Sequence, residues 1–251
     1  MNMKDTILSY LPAGCSLRSS LHYYPTLDST NTKAKELARM GAPHGTAVVA
    51  GMQTGGRGRM GRTFLSPAGG VYLSVILRPQ LPAKELMHLT CAAAVTVRQV
   101  LHTLTGIQPG IKWINDLVLE GKKLGGILTE MSVNPSGTVE FAIIGIGINC
   151  GNVPQDVRDI ATCIDADPAQ LCAGLITAFA QMDLQKKAPM LESYRSACVT
   201  LGQRVRILGT NTEGTAQNVD QQGGLVIALD NGQTVTVDSG EVSVRGLYGY
   251  V

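Results

Sequence analysis

A loop of glycine and arginine is the first segment of the chain whose residue types could do chemistry. Positions 55–62 read GGRGRMGR and follow the apolar run TAVVAGM. The guanidinium groups of Arg57, Arg59 and Arg62 suit carboxylates and phosphates, which an arginine binds through two parallel hydrogen bonds. Ordering a glycine costs backbone entropy, so a loop with both residue types favours closure on an anion. We therefore predict an anion site here; a solvated basic loop is the alternative.

Two well-known phosphate-binding motifs do not account for this loop. Gly56, Gly58 and Gly61 match G-x-G-x-x-G, but in a dinucleotide-binding fold a helix opens directly after these glycines. Here the sequence continues RTFLSPAGG, and a proline with two further glycines is not a helix start. The loop also lacks the G-K-[ST] of a P-loop.

Three further segments combine cations, amides and glycines near predicted strand ends. KWIND (112–116) carries a lysine, the only tryptophan, an amide and a carboxylate. GKKLGGIL (121–128) places two lysines before a glycine pair, where a ligand can approach the backbone closely. GIGIN (145–149) ends on an amide. Each segment by itself also fits a structural role, and Trp113 alone is better interpreted as a core residue.

Alternating strands and helices must position these segments. Hydrophobic periodicity predicts a strand leading into a helix over 21–45, with Asp28, Ser29 and Thr30 at the helix start. The further predicted strands are 46–53, 69–79, 110–116, 123–133 and 138–150, and the further predicted helices are 83–104, 167–185 and 189–198. From 202 to 246 the pattern changes to short strands broken by Gly, Asn and Asp, with DNG (230–232) as a hairpin turn. That part is typical of a small β-barrel.

Composition narrows the class of protein. The chain has 251 residues, of which 44% are hydrophobic and 16% charged, so it can bury a core. Its formal net charge of +2 gives no bulk argument for nucleic acid or a membrane surface. The six cysteines form no CxxC pair and are interpreted as reduced, buried thiols. Without an apolar signal segment or a long apolar run, we expect a cytoplasmic protein.

Taken together and in this order, the motifs resemble those of biotin–protein ligases. They are DSTN, QTGGRGRMGR, KWIND, KLGGILTE and GIGIN, between Asp28 and Asn149, and SGEVSVRG (239–246) resembles the family's C-terminal barrel. The resemblance implies an α/β fold: a mixed β-sheet with helices, related to class II aminoacyl-tRNA synthetases, plus a small SH3-like β-barrel. We place a catalytic domain at 1–198 and the barrel at 199–251. About twenty-five residues precede the first matching strand, too few for a helix-turn-helix, so we expect no DNA binding.

The resemblance also implies a reaction and its site residues. Biotin and ATP, with Mg²⁺ carried by ATP and no direct metal cluster, would form biotinyl-adenylate, and a lysine of a biotin carboxyl carrier protein would accept the biotin. Lys123, Arg59 and Asp116 are the implied catalytic residues, with Lys123 as the main cation and Asp116 either orienting the acceptor lysine or helping to hold Mg²⁺. The implied biotin-binding residues are Ser29, Thr30, Asn31, Gln53, Gly56, Arg57, Arg59, Lys123, Gly126 and Gly147. Those implied for ATP or adenylate are Arg59, Arg62, Phe64, Lys112, Asn115, Asp116 and Asn149.

Several alternatives stay open at this point. Ser29 and Thr30 also fit simple helix capping, and Phe64 also fits a core position. Ile114 stands where the family usually has proline, which puts the local geometry beside Asn115 and Asp116 in question. A lipoate– or octanoate–protein ligase and a non-catalytic biotin sensor are the rival functions. Nucleic-acid binding by the barrel is disfavoured because that segment offers few aromatic rings. The sequence leaves monomer and homodimer open.

Overall fold

A computed structural model describes residues 2–208, 212–238 and 244–246, the last three by their backbone alone. Of the segment 239–246, which carried the resemblance to the family's barrel, residues 239–243 lie outside the described part. Within the described ranges no helix combines the length and the apolar character that a membrane crossing needs.

A seven-stranded mixed sheet forms the larger part of the molecule. Its strand order is β1-β2-β3-β7-β6-β5-β4, and only the β1–β2 pair is parallel. Every residue of β3 is buried, as expected for a central strand that is covered on both faces. The strands are β1 (Leu21–Leu27), β2 (Ala47–Gln53), β3 (Val71–Leu77), β4 (Gly110–Lys112), β5 (Asp116–Leu119), β6 (Lys122–Val133) and β7 (Val139–Ile148).

Helices cover the faces of this sheet. Three of them, α1, α3 and α4, pack together, and the core between helices and sheet is continuous with that of the C-terminal part. A smaller cluster under α2 packs on the opposite face. The helices are α1 (Met3–Tyr10), α2 (Thr30–Arg39), α3 (Leu89–Thr105), α4 (Pro168–Ala180) and α5 (Lys187–Ala197).

A five-stranded antiparallel sheet follows, with the order β11-β10-β9-β8-β12. The predicted DNG turn joins β10 to β11, with Gly232 at a φ of 83°, so that hairpin is confirmed. The predicted boundary at 198/199 falls in the segment between α5 and β8, and it stays a prediction. The strands are β8 (Arg204–Ile207), β9 (Thr212–Val219), β10 (Leu225–Leu229), β11 (Thr234–Val237) and β12 (Val244–Gly246).

The predicted elements differ from the structure in several details. The helix predicted from residue 83 is a short 3₁₀ turn (Ala83–Leu86) followed by α3, which begins only at Leu89. The strand predicted over 110–116 is interrupted: residues 110–112 form β4, residues 113–115 form a tight turn with a cis Trp113–Ile114 peptide bond, and Asp116 begins β5. The helix α1 was not predicted, although Asn2 caps it by accepting from the Asp5 N–H.

The cysteines are free, as predicted. Four of them are buried, and burial raises the pKa of each thiol, to about 11 for Cys150. Cys15 and Cys163 are half-buried, which corrects the prediction for those two.

Candidate active site

A cleft of about 690 Å³ opens beside the central strands, under the glycine–arginine loop. Residues from β2, β4, β5, β6, β7 and the start of α2 line it, so the cleft depends on how these elements pack together. Fourteen of the predicted site residues line this cleft: Ser29, Thr30, Asn31, Gln53, Arg57, Arg59, Arg62, Phe64, Lys112, Asn115, Asp116, Lys123, Gly126 and Gly147.

An ion pair lies at the charged end of the cleft. The Lys123 ammonium donates to Asp116 Oδ1 at 2.6 Å, and both side chains are largely shielded from solvent. The Phe64 ring centroid lies 5.8 Å from the same nitrogen, within the range of a cation–π contact. A Cβ at Gly126 would stand 3.4 Å from both Lys123 Nζ and Asp116 Oδ1, so this glycine keeps the space beside the pair open.

A β-bulge explains how β6 presents both Lys123 and Gly126 to the cleft. Residues an odd number of positions apart normally face opposite sides of a strand. Between β5 and β6 the register shifts, because Leu117 pairs with Gly125 while Val118 pairs with Lys123. The extra residue, Leu124, is buried in the core. It shifts the alternation of side chains along β6 by one position, so that Lys123 and Gly126 both face the cleft.

The glycine–arginine loop folds back on itself as an irregular hairpin over the cleft. Arg57 pairs with Thr63 as an antiparallel bridge, and Gly58 N donates to Arg62 O at 2.7 Å. Arg59 reaches inward from the loop, and its Nη1 lies 3.4 Å from Asn115 Oδ1. Burial lowers the pKa of the Arg59 guanidinium, which the Asp116 carboxylate opposes, and an arginine stays protonated at neutral pH.

Neutral donors and acceptors line the opposite end of the cleft. Gln53 Oε1 accepts from both the backbone N–H and the hydroxyl of Thr30, at 2.8 Å and 3.1 Å. The buried Ser74 hydroxyl lies 2.6 Å from Asn31 Oδ1 and 2.8 Å from Thr30 Oγ1. Ser29 caps α2 by accepting from Thr32 N, so its capping role is observed alongside its place in the cleft.

The Glu130 carboxylate fixes the orientation of the Asn31 amide. Asn31 Nδ2 donates to Glu130 Oε2 at 2.8 Å, and Lys35 Nζ donates to Glu130 Oε1 at 2.6 Å. Burial by itself raises the Glu130 pKa, but the hydrogen bonds from Lys35 and Asn31 outweigh burial and lower it. Glu130 therefore stays ionised and holds the Asn31 side chain in one orientation.

Two predicted site residues do not line the cleft. Gly56 packs inside the loop, where a Cβ would come within 2.3 Å of Phe64 O. Asn149 points away from the cleft, because its Nδ2 donates to Thr162 O at 2.9 Å and to Lys123 O at 3.4 Å. Its contacts tie the end of β7 to β6 and to the 160–162 segment, a structural role that the terminal amide of GIGIN did not reveal.

Sequence reasoning missed several residues of the cleft. Ile160 and Leu208 lie far from every motif in the chain, so no local signal marks them. Met60 sits in the loop at a φ of 55° and is 62% exposed at the cleft. Ser74 does not line the cleft but supports Thr30 and Asn31 from the all-buried β3, and it could have been singled out as a lone hydroxyl in an apolar strand.

Carboxylate, imidazole and thiol groups are sparse around the cleft in the part of the chain that the structure describes. In the described ranges no group of three or more His, Cys, Asp or Glu side chains is placed to hold an ion. Among the described residues that line the cleft, Asp116 supplies the only carboxylate, and it is already paired with Lys123.

Two family models match the chain. The model described as "Biotin/lipoate A/B protein ligase family" matches residues 23–149, which contain almost all of the cleft. The model described as "Biotin protein ligase C terminal domain" matches residues 200–245.

Individual relatives agree with this family. The chain is 38% identical over 229 residues to the bifunctional ligase/repressor BirA of Bacillus subtilis, covering 84% of this chain and 70% of that protein. It is 32% identical to a biotin–[acetyl-CoA-carboxylase] ligase of Mycobacterium tuberculosis, covering 85% of both. Among solved structures, the biotin protein ligase of Aquifex aeolicus in complex with biotin and ATP matches with 31% identity and a TM-score of 0.74, covering 90% of this chain and 98% of that one. On these grounds the chain belongs to the biotin protein ligase family.

Proposed function

We propose that this protein is an ATP-dependent biotin–protein ligase. A carboxylate oxygen of biotin attacks the α-phosphorus of ATP, and pyrophosphate leaves as biotinyl-adenylate forms. The amine of an acceptor lysine then attacks the acyl carbon, AMP leaves, and the amine loses a proton as the amide forms. The observation that carries the proposal is the cleft itself, which joins a charged end around Lys123 and Arg59 to a neutral hydrogen-bonding wall.

The first step brings two anions together, so it needs fixed cations near the reacting atoms. Lys123 contacts Asp116 and Arg59 contacts the neighbouring Asn115, and Lys112 lines the same cleft. We assign Lys123 to bridge the biotin carboxylate and the α-phosphate, and Arg59 to the phosphate side. Lys112 and Arg62 would add positive charge along the ATP phosphates.

The neutral end of the cleft fits the biotin head group. A ureido group needs both donors and acceptors, and Thr30, Gln53 and Asn31 offer both kinds at short range. Gly147 leaves room for the Phe64 ring at the cleft, because a Cβ on residue 147 would come within 2.4 Å of that ring. We therefore place biotin along Ser29, Thr30, Asn31 and Gln53, with its carboxylate directed at Lys123.

Asp116 acts in the second step. Once the substrate anions compete for the Lys123 ammonium, the Asp116 carboxylate is available to orient the incoming acceptor amine. A single, already paired carboxylate fits an ion that ATP brings in better than a resident metal site. Mg²⁺ bound in this way would neutralise charge on the phosphate oxygens.

The loop completes the site by limiting access of water to the adenylate, which hydrolysis would waste. Its hairpin places Arg57 and Arg59 in the cleft and lets Phe64 cover Gly147. The remaining parts of the proposal are a biotin carboxyl carrier protein as acceptor, a cytoplasmic location, and a monomer or a homodimer as the assembly.

The test measures the intact mass of a biotin carrier domain after incubation with the protein and MgATP. Biotin and lipoate are supplied in separate reactions, and a third reaction omits ATP. A gain of one biotin on one lysine, dependent on ATP, is the expected result. A gain with lipoate alone would replace biotin by lipoate as the substrate, and no gain with either, despite biotin binding, would favour a sensor.

A further inference from the structure

Three polar residues of the cleft lie in or directly beside the turn between β4 and β5. Lys112 precedes it, Asn115 ends it and Asp116 follows it, and all three line the cleft. Asn115 links the turn onward, because its Nδ2 donates to Ile127 O at 2.8 Å and its Oδ1 lies 3.4 Å from Arg59 Nη1. A shift of this turn would therefore displace the partners of both Arg59 and Lys123.

Groups from the C-terminal part of the chain hold the turn from outside the cleft. Trp113 N donates to Thr200 Oγ1 at 2.9 Å, and Tyr194 Oη donates to Ile114 O at 3.1 Å. The Trp113 indole N–H donates to Gly223 O, also at 2.9 Å. All of these groups are buried, so each bond is shielded from competing water.

The backbone around Thr200 sets the position of its hydroxyl. Cys198 forms a parallel bridge with Ile111, and Val199 N donates to Ile111 O at 3.0 Å. The 198–200 segment thus runs along the edge of β4, and this path brings the Thr200 hydroxyl within hydrogen-bond distance of Trp113 N. Neither Thr200 nor Tyr194 lines the cleft.

We infer that Thr200 and Tyr194 are positioning residues for adenylation, because their hydroxyls fix the peptide groups of the Trp113–Ile114 turn and thereby the cleft residues on either side of it. The inference rests on the proposed function. It assigns the C-terminal part of the chain a share in the chemistry without contact to either substrate. The neutral residues Thr30 and Gln53 belong to α2 and β2 rather than to this turn, so biotin affinity should depend on the turn less than the adenylation rate does.

The test compares Thr200→Val, Tyr194→Phe and Thr200→Ser with the wild-type protein in a single-turnover assay of pyrophosphate release with biotin and MgATP. Small misplacements of reacting groups can cost up to about 10²-fold in rate, and we expect about tenfold for Thr200→Val and for Tyr194→Phe. The KM for biotin should change much less than the rate, because the neutral residues around Thr30 and Gln53 lie outside the turn. Thr200→Ser keeps the hydroxyl and should restore most of the rate.

Thr177→Val is the matched control. Its half-buried hydroxyl donates to Ala173 O at 2.9 Å within α4, away from the cleft. It should leave the adenylation rate unchanged. A rate loss in Thr177→Val equal to that in Thr200→Val would reduce Thr200 to a general structural role and overturn the inference.

A double-variant cycle tests whether Thr200 acts through the turn. If it does, combining Thr200→Val with Asn115→Ala should slow adenylation by less than the product of the single effects. A fully multiplicative loss would contradict action through Asn115. Normal adenylation by Thr200→Val beside an active wild type would overturn this inference alone, whereas an inactive wild type would overturn the proposed function and this inference with it.

Discussion

At the scale of single residues, the surroundings of the Lys123 ammonium matter most for the proposed adenylation. Its ammonium meets a carboxylate at 2.6 Å and an aromatic ring at 5.8 Å, in a place that Gly126 keeps free of side-chain bulk. These contacts fix the ammonium inside the cleft before an anion arrives, and charges fixed in advance are the condition for efficient electrostatic catalysis.

Lys123→Ala should lower the adenylation rate by about 10²–10³-fold, the usual loss when one preorganised charge contact is removed. The free energy of unfolding should change little, because the ion pair is partly exposed. Single-turnover kinetics and urea denaturation measure the two quantities separately.

Lys122→Ala provides the neighbouring control. Lys122 is exposed and its ammonium donates to Arg158 O rather than into the cleft. Its removal should leave adenylation at the wild-type rate. Wild-type adenylation by Lys123→Ala would end the assignment of that lysine as the main cation.

At the scale of elements, backbone contacts define the path of the loop 55–62. Two isolated bridges, Gln53 with Ser66 and Arg57 with Thr63, close it into a hairpin. Arg57 and Arg62 nevertheless remain exposed, so the loop combines a defined path with accessible trypsin sites.

Biotin and MgATP together should protect this loop from trypsin. Closure over the bound ligands would bury the arginines and slow cleavage after Arg57, Arg59 and Arg62, which mass spectrometry of the fragments can follow. Lys186, whose side chain is 77% exposed at the start of α5, serves as an internal reference whose cleavage should not change. Equal cleavage of the loop with and without ligands would show that it does not act as a lid.

At the scale of the whole molecule, the N-terminal end of α3 meets the β9–β10 turn at a buried histidine. His88 is 1% exposed, and a Cβ at Gly223 would lie 3.5 Å from its Cα. Burial, with a smaller contribution from Lys187, lowers the pKa of His88 to about 4. Within the described residues its Nδ1 has no hydrogen-bond partner that could favour the charged form.

The free energy of unfolding should therefore fall as the pH drops from about 6.5 towards about 4. The unfolded chain binds a proton at His88 near pH 6.5 and the folded chain only near pH 4, so protons favour unfolding within this window. The loss from this group approaches about 3 kcal/mol at the acid end. Urea denaturation at a series of pH values measures it.

His88→Gln should flatten this pH dependence, whatever its effect on stability at neutral pH. His102→Gln is the control, because His102 is exposed on the same helix, and it should keep the wild-type slope. An unchanged slope in His88→Gln would place the titrating group elsewhere.

The two sheets should also unfold as one unit. Trp113, the only tryptophan, bonds to Thr200 and Gly223 from the β4–β5 turn, and Arg195 Nε donates to Val219 O at 2.7 Å. Tryptophan fluorescence and far-UV circular dichroism should therefore follow the same urea transition. A fluorescence change that precedes the loss of circular dichroism would show that the C-terminal part detaches first.

Local sequence patterns were sufficient to predict many of the elements of this protein. The glycine–arginine loop, the helix cap at Ser29, the strands β2, β3, β6 and β7 and the DNG hairpin all depend on neighbouring residues, and the resemblance in their order pointed to the right family. The individual roles assigned to the cleft residues stay predictions, although fourteen of those residues line one cleft.

Contacts between distant residues decided the rest. The bulge at Leu124 depends on the register against β5, and it turns both Lys123 and Gly126 to the cleft. Asn149 bonds to Thr162 and Lys123 instead of facing the cleft, because carbonyl groups from two other segments meet its amide there. The turn at Trp113 is held by residues about 80 to 110 positions further along the chain. A sequence pattern records periodicity along the chain, whereas register, bulges and buried hydrogen bonds are settled only when the strands and both sheets pack together.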